Sequence, residues 1–445
     1  MDEVARPTTG RDGEESRAAE APRRKLFQIL GPGLITGASD DDPSGIATYS
    51  QAGAQFGYDL GWTLLACWPL MCAIQEISAR LGRITGRGIA GNLRRHYPNA
   101  FVYAFVALLL VANTINLGAD LGAMGAALKL VLGDGVPTAG GPELLWVALF
   151  AILIVLLEIL VSYARYVAVL KWLSLSLFTY IAVAFVVKAP WGEVIRHLLV
   201  PHVTLTPGYF TVVVAILGTT ISPYLFFWQA EEEAEDVKAH PHVRPLLRAP
   251  WQARRAFGRI RIDTWIGMGI SEVVAFFILV AASATLNAHH VTNIGTSSQA
   301  AMALRPIAGN LAFLVFAIGI IGCGLLAVPV LAASAAYALG EAFGWRVGLA
   351  RKFRRAPAFY GAIILAFIVG AVLNFVHLNP IRALFWSAVI NGLAAAPIMI
   401  MIMLLGSRRK VMGRFTLPIG LKTVGWLATA AMVAAAVGMF ATLGS

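Results

Sequence analysis

Charge is scarce in this chain: Asp, Glu, Lys and Arg make up 13% of its 445 residues, while 58% are hydrophobic. With a mean hydropathy of +0.72, this composition excludes an ordinary soluble domain and marks an integral membrane protein, expected to be all-α from its long apolar runs. Cysteine is scarcer still. Cys67, Cys72 and Cys323 fall in apolar segments without paired spacing, which argues against a disulfide framework and a thiolate metal site. Histidine is absent from midspan positions. The adjacent pair His289 and His290 lies between spans and reads as an accidental loop pair. Residues 1–24 lack an apolar run and a small-residue cleavage site, so they read as a disordered cytoplasmic tail rather than a signal peptide.

What is present is a series of long apolar runs. They predict eleven spans at about 30–54, 59–82, 100–132, 143–163, 168–188, 208–232, 262–287, 308–340, 357–376, 380–405 and 419–443, numbered here 1 to 11. Basic residues cluster in alternate loops. Arg83, Arg87, Arg94 and Arg95 follow span 2; Arg244, Arg248, Arg254, Arg255, Arg259 and Arg261 precede span 7; Arg351, Lys352, Arg354 and Arg355 precede span 9; Arg408, Arg409, Lys410 and Arg414 precede span 11. The opposite loops hold scattered examples such as Lys188, Arg196, Arg305 and Arg382. Short cytoplasmic loops retain Lys and Arg, so the N-terminus is expected in the cytoplasm and the C-terminus outside. The net charge of +11 then reflects topology and an anionic inner leaflet of the cell inner (plasma) membrane. Nucleic-acid binding is not needed to explain it.

Span 1 carries an anomaly. Within LFQILGPGLITGASDDDPSGIATYSQAGAQF, Asp40, Asp41 and Asp42 are followed by Pro43, Ser44 and Gly45. A carboxylate at bilayer depth costs about 3 kcal/mol or more, and Pro removes backbone hydrogen bonds that lipid cannot replace. The apolar stretch before the aspartates is shorter than the roughly 20 residues a spanning helix needs. A solvated cap is therefore disfavoured, and a broken helix lining a protein cavity is expected.

Span 6 carries a second break. In VVVAILGTTISPYLFFWQAEEEAED, Gly218, Thr219, Thr220, Ser222 and Pro223 interrupt the helix about midway. The two broken spans are five apart, and an odd spacing inverts the second set of five relative to the first. Paired broken helices in inverted halves point to a secondary transporter, not an enzyme, with its site at the bilayer midplane. The expected organisation is a first repeat over 25–190, a second over 205–405 and an appended helix over 415–445.

The ligands offered at these breaks are carboxylates, freed carbonyls and hydroxyls, all hard oxygen donors suited to Mg, Ca, Mn or trivalent ions. Asp42, Asp41, Thr219 and Ser222 are the expected metal contacts, with Thr220 and Tyr224 beside them. Asp120 in span 3 is a candidate for the aqueous pathway or the surroundings of the site, as is Glu272 in span 7. Glu158 in span 4 is another candidate or a partner of Arg165. Asn391 in span 10 either turns its amide to the cavity or makes a helix–helix hydrogen bond. Glu76 and Arg80 read as a structural pair one turn apart, and Glu231, Glu232 and Glu233 as a solvated acidic run. No cofactor is expected; the metal ion is the cargo.

The stretch GPGLITGASDDDPSGIATYSQAGAQFGYDLGWT, followed by QEISARLGRITGRGIAGNLRRHYP, resembles spans 1 and 2 of the Nramp family of metal-ion transporters. ADLGAMGAAL in span 3 extends the resemblance more weakly. It implies a leucine-transporter-like fold, a 5+5 inverted repeat with broken helices 1 and 6 plus an eleventh helix, working by alternating access. The departures from the family pattern are informative. Its Asp-Pro-Gly-Asn motif reads Asp42-Pro43-Ser44-Gly45 here, keeping the metal-binding aspartate but placing Gly45 at the asparagine position. In span 6, Ser222 replaces a methionine whose sulfur favours transition metals, and Tyr224 replaces a histidine. In span 3, Asp120 matches the family's aspartate, but Ala123 replaces a glutamate; the loss of that glutamate and of the histidine removes groups associated with proton movement. A span-10 glutamine of the family falls near Ala388, leaving Asn391 one turn on as a substitute.

These departures resemble the Nramp-related magnesium transporters. The expected function is secondary transport of a hard metal cation, a Mg²⁺-like divalent, Mn²⁺ or a trivalent ion. The alternative is transport of a small organic cation or amino acid on the same fold, with Asp42 as counter-charge and Ser222 and Tyr224 as hydrogen-bond partners.

Overall fold

The computed structural model describes residues 36–37, 39–132, 142–161, 177–376 and 379–443. The tail at 1–24, the opening of span 1, Arg165, the first part of span 5 and His377 lie outside the described residues. Regular structure among the described residues is entirely helical. Among the described residues, eight helices are long and apolar enough to cross a membrane, and Leu144–Leu160 is a shorter apolar one. With Pro43–Phe56 and Phe178–Val186, the described parts of spans 1 and 5, they account for each expected span.

Local sequence sets the helix ends. The first half of span 6, Pro207–Thr220, begins with Pro in its first turn and Thr206 accepting from Tyr209 N. Span 10, Pro380–Ser407, begins likewise, with Asn379 accepting from Ile381 N and Arg382 N. Pro suits a first turn because its missing N–H would have no partner there, and a capping oxygen satisfies one of the remaining donors. Span 2, Gly61–Thr85, stops at Gly86, whose φ of 68° is the left-handed conformation that glycine adopts freely.

Packing positions the breaks. Span 7, Ala253–Thr285, lies against Pro43–Phe56 and span 2, and span 8, Ala312–Phe343, lies along span 3, Asn99–Leu132. The two halves of span 6 have different neighbours. Pro207–Thr220 packs on spans 10 and 11, whereas Pro223–Ala239 packs on spans 2 and 8. Small residues permit these approaches: a Cβ on Gly218 would collide with the Ala388 carbonyl and Gly392 N. Without a hydrophobic force between helices in lipid, such close backbone contact is a main source of packing energy.

Two amphipathic helices, Ile89–His96 and Trp191–Leu199, were not expected, because neither is apolar enough to register as a span. The first starts against span 8: Glu341 accepts from Gly88 N at 2.9 Å and Gly91 N at 2.6 Å, placing negative charge at a helix N-terminus. The far end of span 6 corrects the expectation of a solvated acidic run. Glu231 and Glu233 are buried, and Arg259 of span 7 donates to both Glu233 oxygens at 2.6 Å. Arg83 of span 2 pairs with Asp236 at 2.9 Å. The Glu76–Arg80 pair forms as expected, at 2.6 Å.

Candidate cation site at the two helix breaks

The helix of span 1 stops at the aspartates and restarts at Pro43. Asp42 becomes the N-cap of Pro43–Phe56: its Oδ1 accepts from Gly45 N at 2.8 Å and from Ser44 Oγ at 2.6 Å. The carboxylate thus sits on the positive end of the helix dipole. Glycine at position 45 has a local reason. A Cβ there would stand 3.2 Å from Thr219 Oγ1 and 3.3 Å from Tyr49 Cε2, so an asparagine would have to push its neighbours aside.

In span 6, Pro223 cannot donate to Thr219 O. Ser222 Oγ supplies the missing hydrogen bonds instead, donating to Gly218 O at 2.7 Å and Thr219 O at 2.8 Å. Thr220 Oγ1 donates to Ile216 O at 2.7 Å. Tyr224 reaches across to the other break, its hydroxyl donating to Ser39 O at 2.8 Å. Ser222 and Tyr224 therefore satisfy carbonyls left without helix donors. Because their protons are directed at backbone, their oxygen lone pairs remain acceptors only.

The breaks face each other. Ser44 Oγ lies 3.4 Å from Thr219 Oγ1, and Tyr49 OH lies 3.1 Å from Thr220 Oγ1. Two residues that sequence reasoning missed complete the surroundings of Asp42. Asn116 Nδ2 of span 3 donates to Asp42 Oδ2 at 3.0 Å, and Asn116 Oδ1 accepts from Ser387 Oγ of span 10 at 2.7 Å. The available signal was spacing: Asn116 is one turn before Asp120, and Ser387 one turn before Asn391, so each pair shares a helix face.

The remaining candidates separate into groups. Asp120 and Asn391 are fully buried, and neither side chain has a hydrogen-bond partner. Asp40 Oδ2 and Asp41 Oδ1 both accept from Ser271 Oγ, at 2.6 and 3.0 Å, so these carboxylates turn to span 7 while Asp42 turns to span 3. Glu272 is buried without a partner and lines a different, apolar cavity between spans 2 and 7. Among the described residues no three His, Cys, Asp or Glu form a ready metal cage. A cation at the breaks would be held by few carboxylates together with hydroxyls and carbonyls. A cavity of about 500 Å³ with a mixed lining, including Gln51, Gln55, Arg382, Phe385 and Trp386, begins at Ala47, one turn beyond Pro43 on span 1.

Apolar helices, two of them interrupted within their spans and joined through a buried carboxylate and facing hydroxyls, define a multi-pass membrane protein with the leucine-transporter-like fold. Solved structures agree. The Eremococcus coleocola manganese transporter, in complex with an aromatic bis-isothiourea substituted compound, superposes with a TM-score of 0.72 at 18% identity, covering 94% of this chain and 87% of that one. MhsT in complex with L-phenylalanine gives a TM-score of 0.59 at 15% identity, covering 92% and 98%. The family model for natural resistance-associated macrophage protein-like proteins, Nramp, matches residues 33–442, and the chain belongs to that family. Similar curated proteins include the divalent metal cation transporter MntH of Klebsiella pneumoniae, 27% identical over 426 residues with 94% of this chain and 95% of that protein covered. Its namesake in Deinococcus radiodurans is 25% identical over 433 residues, covering 95% and 92%.

Proposed function

We propose that this protein carries a hard divalent cation of the Mg²⁺ class across the cell inner membrane by alternating access, with Asp42 as its principal ligand. The observation that carries this reading is the chemistry of the facing breaks. Asp42, Ser44, Thr219, Thr220 and Ser222 offer oxygen alone, and the sulfur and imidazole that favour softer metals are missing at positions 222 and 224. Hard oxygen ligands match Mg²⁺, which retains much of its water and needs few protein carboxylates. Relatives named as divalent metal cation transporters support a metal as cargo.

Asp41, Asn391, Asp120 and Tyr224 belong to the path beside this centre in the same reading, and Gly45 keeps it open. The repeats span 25–190 and 205–405, followed by 415–445, and the basic loops set the N-terminus in the cytoplasm. The test is calorimetric titration and proteoliposome uptake with Mg²⁺, Ca²⁺, Mn²⁺, Cd²⁺ and a panel of organic cations. Saturable Mg²⁺ uptake that Asp42→Ala abolishes is the expected result. Uptake of an organic cation without any metal response overturns it.

A further inference from the structure

A second cavity lies away from the helix breaks. It measures about 850 Å³ and is bounded by spans 2 and 7 with parts of span 5 and of the amphipathic helix Trp191–Leu199. Its wall is hydrocarbon and aromatic, including Trp68, Trp265, Phe276 and Phe277, with one ionisable side chain, Glu272. The rim residues Leu65, Ile270 and Val273 are exposed, so the cavity opens sideways where lipid chains lie.

Glu272 is 7% exposed, its two carboxylate oxygens are buried just behind the cavity wall, and neither has a hydrogen-bond partner. The hydroxyl of adjacent Ser271 is committed to Asp40 and Asp41, which place further acid behind it. Two buried acceptor atoms without donors are costly to leave unmade. A group that brings both donors and positive charge would complement this acid.

We propose that this groove binds a lipophilic ammonium ion admitted from the bilayer, its headgroup drawing the Glu272 carboxylate out to the wall to pair with it and its alkyl chain lying along the aromatic surface. A hydrated metal ion does not suit the wall, because burying it there forfeits hydration without replacing it with oxygen ligands. An alkylammonium carries its own hydrocarbon. The indoles of Trp68 and Trp265 meet edge to face at 5.5 Å, and aromatic faces attract cations. The volume lies in the range of small-molecule sites.

The experiment uses full-length protein in proteoliposomes and two photolabels: hexadecylamine and hexadecanol, each with a diazirine in the chain. Labelled peptides are mapped by mass spectrometry. The amine is expected to label residues 64–68 and 265–277 roughly tenfold more strongly than the alcohol, a preference of about 1.4 kcal/mol. Glu272→Gln should bring that ratio to about one while alcohol labelling persists, which shows that the groove still folds. Gly269→Leu should exclude both probes, since even a Cβ at position 269 would lie 3.3 Å from Trp68 Nε1. Equal labelling by the two probes in the wild type, an amine excess that survives Glu272→Gln, or amine labelling that survives Gly269→Leu overturns the proposal.

Discussion

Asn116 grips Asp42 on the side that Asp42's own helix cannot reach. Its Nδ2 stands 3.0 Å from Oδ2, while Oδ1 is taken by Gly45 N and Ser44 Oγ. Ser387 in turn fixes the Asn116 amide at 2.7 Å. Replacing Asn116 by leucine leaves a buried carboxylate oxygen without its donor, a loss of about 1–3 kcal/mol. Cation affinity by calorimetry should fall roughly tenfold for Asn116→Leu. Ser387→Ala, which acts through Asn116, should cost less. The double variant should be no worse than Asn116→Leu alone, because the two residues form one chain of contacts; fully additive losses would show that Ser387 acts separately.

Asp42→Ala should abolish uptake and cost about 1 kcal/mol of stability, the ordinary loss for a helix N-cap. Asp40→Asn and Asp41→Asn should be milder, because both carboxylates turn to Ser271. Parallel flux and thermal-unfolding measurements separate the two effects. Unchanged flux in Asp42→Ala would falsify the metal reading and the organic-cation reading together.

Ser222→Met should shift preference toward Mn²⁺ and Cd²⁺ relative to Mg²⁺, since a thioether adds affinity only for softer ions. The same change removes the hydroxyl that satisfies Gly218 O and Thr219 O, so the variant should unfold at lower temperature. Adding Gly45→Asn should lower it further, because the new side chain crowds Thr219 and Tyr49. Competitive binding of Mg²⁺ against Cd²⁺ checks the selectivity; an unchanged ratio means that position 222 does not touch the ion.

Uptake should be uncoupled, or only weakly coupled, to protons. Tyr224, where the family has a histidine, spends its hydroxyl on Ser39 O, and Ala123 cannot carry a proton. Liposomes loaded with a pH-sensitive dye should show no stoichiometric acidification during cation entry. Acidification that vanishes in Asp120→Asn would instead identify that buried carboxylate as the proton carrier.

Gly218→Ala should destabilise the protein by about 1–3 kcal/mol through overpacking, because the methyl group would strike span 10 at Ala388 and Gly392. Gly192→Ala, with nothing within 4 Å of its added Cβ, is the control. Equal melting temperatures for the two variants would place the close contact of spans 6 and 10 in doubt.

Both breaks were legible in the sequence because they violate the rules of a spanning helix: acids and Pro-Ser-Gly in one, small residues, hydroxyls and proline in the other. Asn116, Ser387 and Ser271 were not. A single amide or hydroxyl in an apolar helix looks the same whether it serves a carboxylate or its own backbone, and only tertiary contact decides. The burial of Glu233 was hidden for a related reason, since its partner Arg259 is 26 residues away. The amphipathic helices escaped because each is short and alternates polar with apolar residues, so neither registers as an apolar run.

Ile221 and Ser222 form the joint between two separately anchored rods. One half of span 6 is bedded on spans 10 and 11, the other on spans 2 and 8, and Pro223 leaves no backbone donor to stiffen the connection. Within span 6 itself, a bend at this joint breaks the hydrogen bonds of Ser222 Oγ, whereas a bend elsewhere must break the helix. In the proposed transport cycle the Ser222 hydroxyl would thus act as a detachable clasp, and its replacement should alter how readily the two rods pivot as well as which ion is preferred.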